Sequence, residues 1–557
     1  MITDLSHFHY SRTVRGLWAP SGAFLVAVAV MAPVLALAWH ALSSDLDHWR
    51  HLADTTLPAT LRSTVALLAG VAVLASALGI GSAWLVTAYR FPGRAILNWA
   101  LLLPLAVPTY IMAYAYLDVL HPLGPVQSAL RHWLGYSSPR EFRLPDIRSM
   151  TGAIVLLGFV LYPYVYLTVR STFLTQAANV LEAARTLGAH RAEVFWRVAL
   201  PLARPAWAVG LSLALLETLN DIGASEFLGI QTMTVAVYTS WTTRSDLAAA
   251  AQIALTMLLI VVALILLERR GRARQRFANV QRMQPMQART LRGPPALIAL
   301  LLGLLPILAG FVVPAIYLTA EAVERLHGGH GLSHTLMRSL SNTVLLALIA
   351  TVVTLTIGLM VAWASRTLRE SAWRQPARAL ARVASLGYAV PGTVLAIGLL
   401  TPVMLIDDGL GELMQSRHLL LMGSGGALLI AYVIRFLAIP VGAAEAGLTR
   451  IPASLEHAAR TLGSGPAQAL RRIHLPLLRP ALAASALLVL VDVMKELPAT
   501  LLLRPLDFDT LATLLYAEAS RGNYEEGALA ALAIVLAGLL PVILLARTNL
   551  SHGYRRP

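Results

Sequence analysis

The chain has 557 residues, 57% of them hydrophobic and only 13% charged, a composition that excludes an ordinary soluble domain and marks an integral membrane protein. The formal net charge is +15, but the arginines lie in short loops between apolar runs, where the positive-inside rule accounts for them, so the partner is the lipid bilayer and not nucleic acid. No cysteine is present, which excludes disulfides, cysteine-ligated zinc and iron–sulfur clusters.

In chain order, the first apolar run, 23–41, follows Arg12 and Arg15. It reads as an uncleaved first span and not a signal peptide, because it is long and many spans follow. About a dozen runs along the chain are long enough to cross ~30 Å of hydrocarbon. With a cytoplasmic N-terminus, the arginine-bearing loops at 90–94, 177–204, 269–292, 366–382 and 450–479 and the tail from Arg547 all fall on one side, which places both termini in the cytoplasm. The loop 121–149, with four arginines, is the exception, in a stretch long enough for the rule to weaken. Residues 268–292 carry eight arginines and leave no room for a span.

A long internal repeat organises these runs. AARTLG at 183–188 returns at 458–463, and LPLARPA at 200–206 returns as LPLLRPA at 475–481. Both matches have an offset of 275 residues (463 − 188 and 475 − 200). The expected organisation is therefore a first half over 1–270 with a repeated loop at 177–205, a basic cytoplasmic linker over 271–295, and a second half over 296–557 with its loop at 450–480. Equal orientation of the two loops demands an even number of spans per half, about six each.

The first loop reads Glu182, Ala183, Ala184, three residues, Gly188, nine residues, then Val198, Ala199, Leu200, Pro201; the second has His457, Ala458, Ala459, Gly463 and then Ile473, His474, Leu475, Pro476. Good helix formers precede a glycine that permits a sharp turn, and the proline suits the first turn of the next helix. This pattern resembles the EAA loop of ABC importer permeases. The resemblance implies an all-α membrane protein of about twelve transmembrane helices in two homologous six-helix halves, the type I ABC importer permease fold, in the bacterial inner membrane. It also implies partners: a homodimer of ATP-binding subunits at the cytoplasmic face, which the loops engage, and a periplasmic substrate-binding protein. No cofactor is expected on this chain; Mg-ATP belongs to the partner ATPase. A P-loop needs GxxxxGK[ST], and the only lysine, Lys495, lies in VDVMKEL, so no ATPase or other enzyme activity is expected here. One departure stands out: Glu182 is matched by His457, with Glu456 one place earlier. One residue turns a helical side chain by about 100°, so the two docking sites are expected to be unequal.

At the same offset, ETLNDIGAS (217–225) aligns with DVMKELPAT (492–500), pairing Glu217 with Asp492 and Asp221 with Glu496. Each half thus places two carboxylates at i and i+4, on one helical face, at equivalent positions. Ionised groups at the bilayer centre cost ~2.5–3.5 kcal/mol and face a bundle interior or an aqueous path. Three roles fit: a translocation path or gate, internal ion pairs with Lys495 between Asp492 and Glu496, or direct substrate ligands. Asn220 stands in the first half where Lys495 stands in the second. The stretches LALLETLNDIGASEFLGIQTMTVAVYTSW and VDVMKELPATLLLRPLDFDTLATLLYAEAS resemble the corresponding segments of fused ferric-iron importer permeases, which implies iron(III) as cargo. Thiamine, polyamine or phosphonate permeases share the broader pattern, and a twelve-span secondary transporter is the competing class. His327, His330 and His334 in RLHGGHGLSH are weak metal candidates, since the pattern lacks carboxylates. Tyr110, Tyr114, Tyr116, Tyr162, Tyr164 and Tyr166 could line a path, but aromatic residues near span ends usually anchor at the interface, and the sequence leaves them unassigned.

Overall fold

The computed structural model describes residues 18–175, 184, 186–273, 288–328, 332–367, 374–415 and 418–553. Among these, eleven helices are long and apolar enough to cross a membrane, and a bent pair raises the number to twelve if it counts as one span. Six then fall in each half of the sequence.

In the first half the elements are α1 (Trp18–Leu42), α2 (Thr56–Ala88), the short strand β1 (Tyr89–Arg90), α3 (Arg94–Ala100), α4 (Thr109–Val119), α5 (Met150–Thr175), α6 (Leu200–Asn220), the short α7 (Gly223–Phe227), α8 (Met233–Thr242) and α9 (Leu247–Ala273). The second half holds β2 (Arg289–Thr290), α10 (Pro294–His327), α11 (His334–Thr367), α12 (Arg374–Ala384), α13 (Gly392–Met414), α14 (Gly426–Thr449), α15 (Ala453–Thr461), α16 (Leu475–Met494), the short α17 (Pro498–Leu503), α18 (Leu511–Arg521) and α19 (Tyr524–Gly553).

The units of packing cut across the halves of the sequence. One comprises residues 45–337 and 511–557, the other 1–44 and 338–510. In the first, α5 packs along α2 and α6, α8 and α6 lie on α9, and α19 packs on α10 and α18. In the second, α1 lies along α13 and α12, α14 packs on α16, and α17 on α13. Each half of the sequence thus contributes helices to both units. The linker ends in the first unit, where β2 pairs in parallel with β1, Tyr89 opposite Arg289 and Arg90 opposite Thr290.

Prolines explain where the spans break. Between α3 and α4 the chain turns by 92° through LPLAVP, with Pro104 in a 3-10 turn (Leu103–Ala106) and Pro108 at the cap of α4. Proline removes a donor and pushes its predecessor out of helical geometry; Val107 is extended at φ −100, ψ 112. A broken helix inside a membrane protein exposes carbonyls that need donors. Tyr166 and Tyr162 on α5 supply them, their hydroxyls donating to the Asn98 and Leu101 carbonyls at 2.9 Å each. Both rings are fully buried, as is Tyr114, so Tyr162 and Tyr166, which the sequence left unassigned, are core struts.

Candidate functional site

Where both are described, the two repeated loops turn alike. At the described end of the first and just past α15 in the second, the glycine adopts a left-handed conformation, φ +86 at Gly188 and +79 at Gly463. In each, the following N–H reaches back across the turn, Ala189 to the Ala184 carbonyl at 3.1 Å and Ser464 to the Ala459 carbonyl at 2.9 Å. That is the Schellman way of ending a helix, and it selects glycine because a Cβ disfavours this conformation. Leu187 and Leu462, immediately before the glycines, are 87% and 84% exposed. Large apolar side chains are thus exposed alike at equivalent positions of the repeat. Sequence reasoning passed them over, although both lie inside the repeated AARTLG. Glu182 and Ala183 lie outside the described residues. Ala184 is half-buried, Ala459 is buried, and His457 and Ala458 are exposed.

Ahead of Leu200-Pro201 and of Leu475-Pro476 the helix widens into π turns, Val194–Ala199 and Leu470–His474. A proline ring clashes with the carbonyl four residues back, here that of Arg197 or Arg472, and the wider turn relieves the clash. Each loop is therefore joined to its membrane helix, α6 or α16, by the same distorted turn.

The second loop carries an anchor that sequence reasoning did not foresee. Glu456 accepts from Arg366 Nε at 2.8 Å and is paired with His474 Nε2 at 2.8 Å. Arg366 also donates to the Ile451 carbonyl at 2.8 Å and to the Leu448 carbonyl. The Arg366 and His474 side chains are only 9% and 4% exposed. Burial opposes ionisation of Glu456, but Arg366 and then His474 prevail and hold its carboxyl below the ordinary carboxylate value. Glu456 thus ties α15 to the end of α11 and to the π turn before α16, while His457 faces outward.

The intramembrane acids separate into different environments. α6 ends at Asn220 and α16 at Met494, before Asp221 and Glu496, so neither pair shares one continuous helical face as expected. Pro498 in the second half and Gly223 in the first disfavour continuation. Asp221 is 6% exposed and caps α7: it accepts from the Ser225 N–H at 2.8 Å, the Ser225 hydroxyl at 3.0 Å and the Thr109 hydroxyl at 2.5 Å. Glu496, 5% exposed, caps α17 in the same way through the Ala499 and Thr500 N–H groups at 3.0 and 3.1 Å. Its further partner is Arg435, 3.6 Å away. Where Thr109 follows Pro108 in the first half, Gly392 follows Pro391 in the second. A Cβ on Gly392 would lie 2.3 Å from the Arg435 guanidinium and 2.8 Å from the Glu496 carboxylate. One half satisfies its buried acid with a hydroxyl; the other clears a side chain and inserts a guanidinium. Asp492 pairs with Lys495 at 2.9 Å, so Lys495 is bonded to Asp492 while Glu496 turns to Arg435, a different arrangement from a lysine between the two acids. Glu217 is half-buried near the end of α6.

Of the histidines, His330 lies outside the described residues, His327 and His334 are exposed, and His327 Nδ1 meets its own helix at the Val323 carbonyl, 2.9 Å away. Among the described residues no group of three or more His, Asp or Glu side chains is disposed to hold a metal.

Two six-span sets with equivalent exposed loops, distorted loop-to-helix joints and capped half-helices define a membrane protein built from two repeated halves. Residues 75–276 and 355–551 each match the binding-protein-dependent transport system inner membrane component family, and the chain belongs to that family, with the type I ABC permease fold. The two matches are the internal repeat. The chain is 26% identical to the Fe(3+)-transport system permease protein FbpB 2 of Haemophilus influenzae over 87% of this chain and 89% of that one. It is 28% identical to the sulfate transport system permease protein CysT of Escherichia coli over 36% of this chain and 70% of that one. It is 32% identical to the molybdenum transport system permease protein ModB of Escherichia coli over 26% of this chain and 61% of that one. The protein is a multi-pass importer permease and not an enzyme; its family works with a separate ATPase subunit and a periplasmic binding protein.

Proposed function

We propose that this chain carries iron(III), delivered by a periplasmic binding protein, across the bacterial inner membrane by alternating access. One observation carries the reading. The Fe(3+)-transport relative matches across both halves of the chain, whereas the sulfate and molybdenum relatives match about a third or less of it. Two copies of one ATP-binding subunit, each holding Mg-ATP, engage the two loops, with both termini of this chain on the same cytoplasmic side. Leu187 and Leu462 insert into the ATPase, and the π turns pass its closure to α6 and α16. Glu217, Asp492 and Lys495, near the ends of those helices, lie where such motion changes the path. Asp221 and Glu496 act as caps that set the half-helices α7 and α17. A hard trivalent cation is met well by carboxylate oxygen, and passage requires that no site hold it tightly.

The test is uptake by the permease reconstituted with its ATPase and binding protein against a panel of iron(III), sulfate, molybdate, thiamine, a polyamine and a phosphonate. Iron(III) uptake dependent on the binding protein is expected. Uptake of another member of the panel with none of iron(III) overturns the reading.

A further inference from the structure

The segment between α6 and α9 does not run over the outside of the protein but folds back into it. The Met233 N–H donates to the Thr64 hydroxyl at 2.9 Å, and Thr64 lies eight residues down α2 from Thr56, roughly 12 Å along the helix. The Thr234 hydroxyl contacts the Met257 sulfur at 3.6 Å, ten residues down α9 from Leu247, roughly 15 Å along it. Residues 221–225 are all buried; the segment first opens at Glu226 and Phe227.

Glu226 differs from the other acids of the two aligned segments in how its charge is met. Asp221 has backbone donors and two hydroxyls, Glu496 has Arg435, and Asp492 has Lys495. Among the described residues the Glu226 carboxylate meets one side chain, the phenol of Tyr516, which donates to Oε2 at 2.5 Å. Tyr516 is itself 9% exposed, stacked on Phe227 with centroids 5.5 Å apart and set edge-on to Tyr238 at 6.4 Å. The arrangement is a carboxylate held by a phenol within an aromatic box, with no cation beside it among the described residues. A carboxylate inside a membrane protein without a compensating cation has a functional explanation as its default. The symmetry of the chain isolates it further. At the 275-residue offset Glu226 corresponds to Leu501, and Tyr516 to Trp241, so the repeat does not require either group.

We propose that Glu226, oriented by Tyr516, is a way station for a cationic cargo: an oxygen-donor site where a hard metal cation such as iron(III) supplies the positive charge that the protein withholds. The inference rests on the reading of the chain as an iron(III) permease and sharpens it, because a lone carboxylate attracts a cation and repels sulfate, molybdate or a phosphonate. One carboxylate and one or two phenol oxygens leave most of the coordination sphere of the ion to water or a chelator, so the ion is met and released, as conduction requires. Tyr516 is the positioning residue, and Glu226 is the group that touches cargo.

The experiment uses the full transporter, with its ATPase and binding protein, in proteoliposomes. Radiolabelled iron(III) and sulfate are offered separately to the wild type, Glu226→Gln, Glu226→Asp and Tyr516→Phe. Glu226→Gln, which keeps shape and hydrogen bonding but removes the charge, is expected to lower iron(III) uptake about tenfold. Glu226→Asp is expected to retain most uptake, and Tyr516→Phe to fall between. All variants are expected to co-purify with the ATPase as the wild type does. Unchanged iron(III) uptake in Glu226→Gln overturns the way station while leaving the iron reading intact. Loss of assembly in both Glu226→Gln and Tyr516→Phe also overturns it, since the pair then serves only packing. Sulfate uptake without iron(III) uptake in the wild type overturns the iron reading itself, and a rise in that sulfate uptake in Glu226→Gln identifies Glu226 as a barrier to anions.

Discussion

Replacing Glu456 with alanine tests whether the second loop is mechanically tied to the membrane helices. Glu456 joins Arg366 and His474 at 2.8 Å each, and hydrogen bonds to charged groups contribute roughly 1.5–3 kcal/mol each. Two features reduce the loss. Arg366 keeps the Leu448 and Ile451 carbonyls, and Glu456 retains 18% side-chain exposure, so water screens part of the interaction. A net loosening of about 2 kcal/mol, or about thirtyfold in local opening, is expected. Hydrogen exchange followed by mass spectrometry on the assembled transporter measures it: peptides covering 453–461 should exchange about thirtyfold faster, and those covering 186–200 should not change. The first loop is spared because the positions 275 residues before Glu456 and His474 hold Leu181 and Ala199, which cannot form such an anchor. Unchanged protection at 453–461, or equal acceleration of both loops, refutes the reasoning.

The same anchor has a defined pH response. The Glu456 carboxyl titrates below its ordinary value in the folded protein, so its stabilisation is complete above the unfolded value of ~4.3 and is lost as pH falls through the lower folded one; exchange at 453–461, corrected for intrinsic rates, should be flat from neutrality to about pH 5 and rise only in more acidic buffer. At Gly188 and Gly463 a Cβ meets no atom within 4 Å, so alanine there costs only the left-handed backbone, about 1–2 kcal/mol. Transport per ATP hydrolysed should fall in both variants, and further in Gly188→Ala than in His457→Ala, whose side chain is exposed. Arg435→Ala leaves Glu496 buried without its cation, a loss of about 3–5 kcal/mol, whereas Thr109→Val removes from Asp221 one hydroxyl donor, about 1 kcal/mol; thermal unfolding in detergent should show the larger drop for Arg435→Ala.

The features that could be read from the sequence are those set by local chemistry and by repetition. Apolar length gave the spans, and the 275-residue offset gave the halves and the paired loops. Gly188 and Gly463 were readable because a left-handed cap selects glycine. The end of α16 before Glu496 had its signal in Pro498, but the matching end of α6 depends on Asp221 finding donors in Ser225 and Thr109, the latter 112 residues away. Arg435 reaches Glu496 from another helix, and Arg366 reaches Glu456 from 90 residues away; no spacing rule announces such pairs. The packing units were hidden for a different reason. Helices such as α1 and α19 are apolar on every side, so their sequences name no preferred neighbour. Tyr162 and Tyr166 could not be assigned from the sequence because their partners are carbonyls freed by a break that only LPLAVP foreshadows.

In this transporter, movement of cargo is expected to be driven through the two loops by a separate ATPase. The direct measurement is uptake of binding-protein-delivered iron(III) into proteoliposomes holding the permease with its ATPase, with and without Mg-ATP at the loop face and with Leu187 and Leu462 both changed to aspartate. Uptake that requires Mg-ATP, and that collapses in the double variant together with capture of the ATPase, is the predicted result. Uptake sustained by an ion gradient without the ATPase, and indifferent to both leucines, contradicts it.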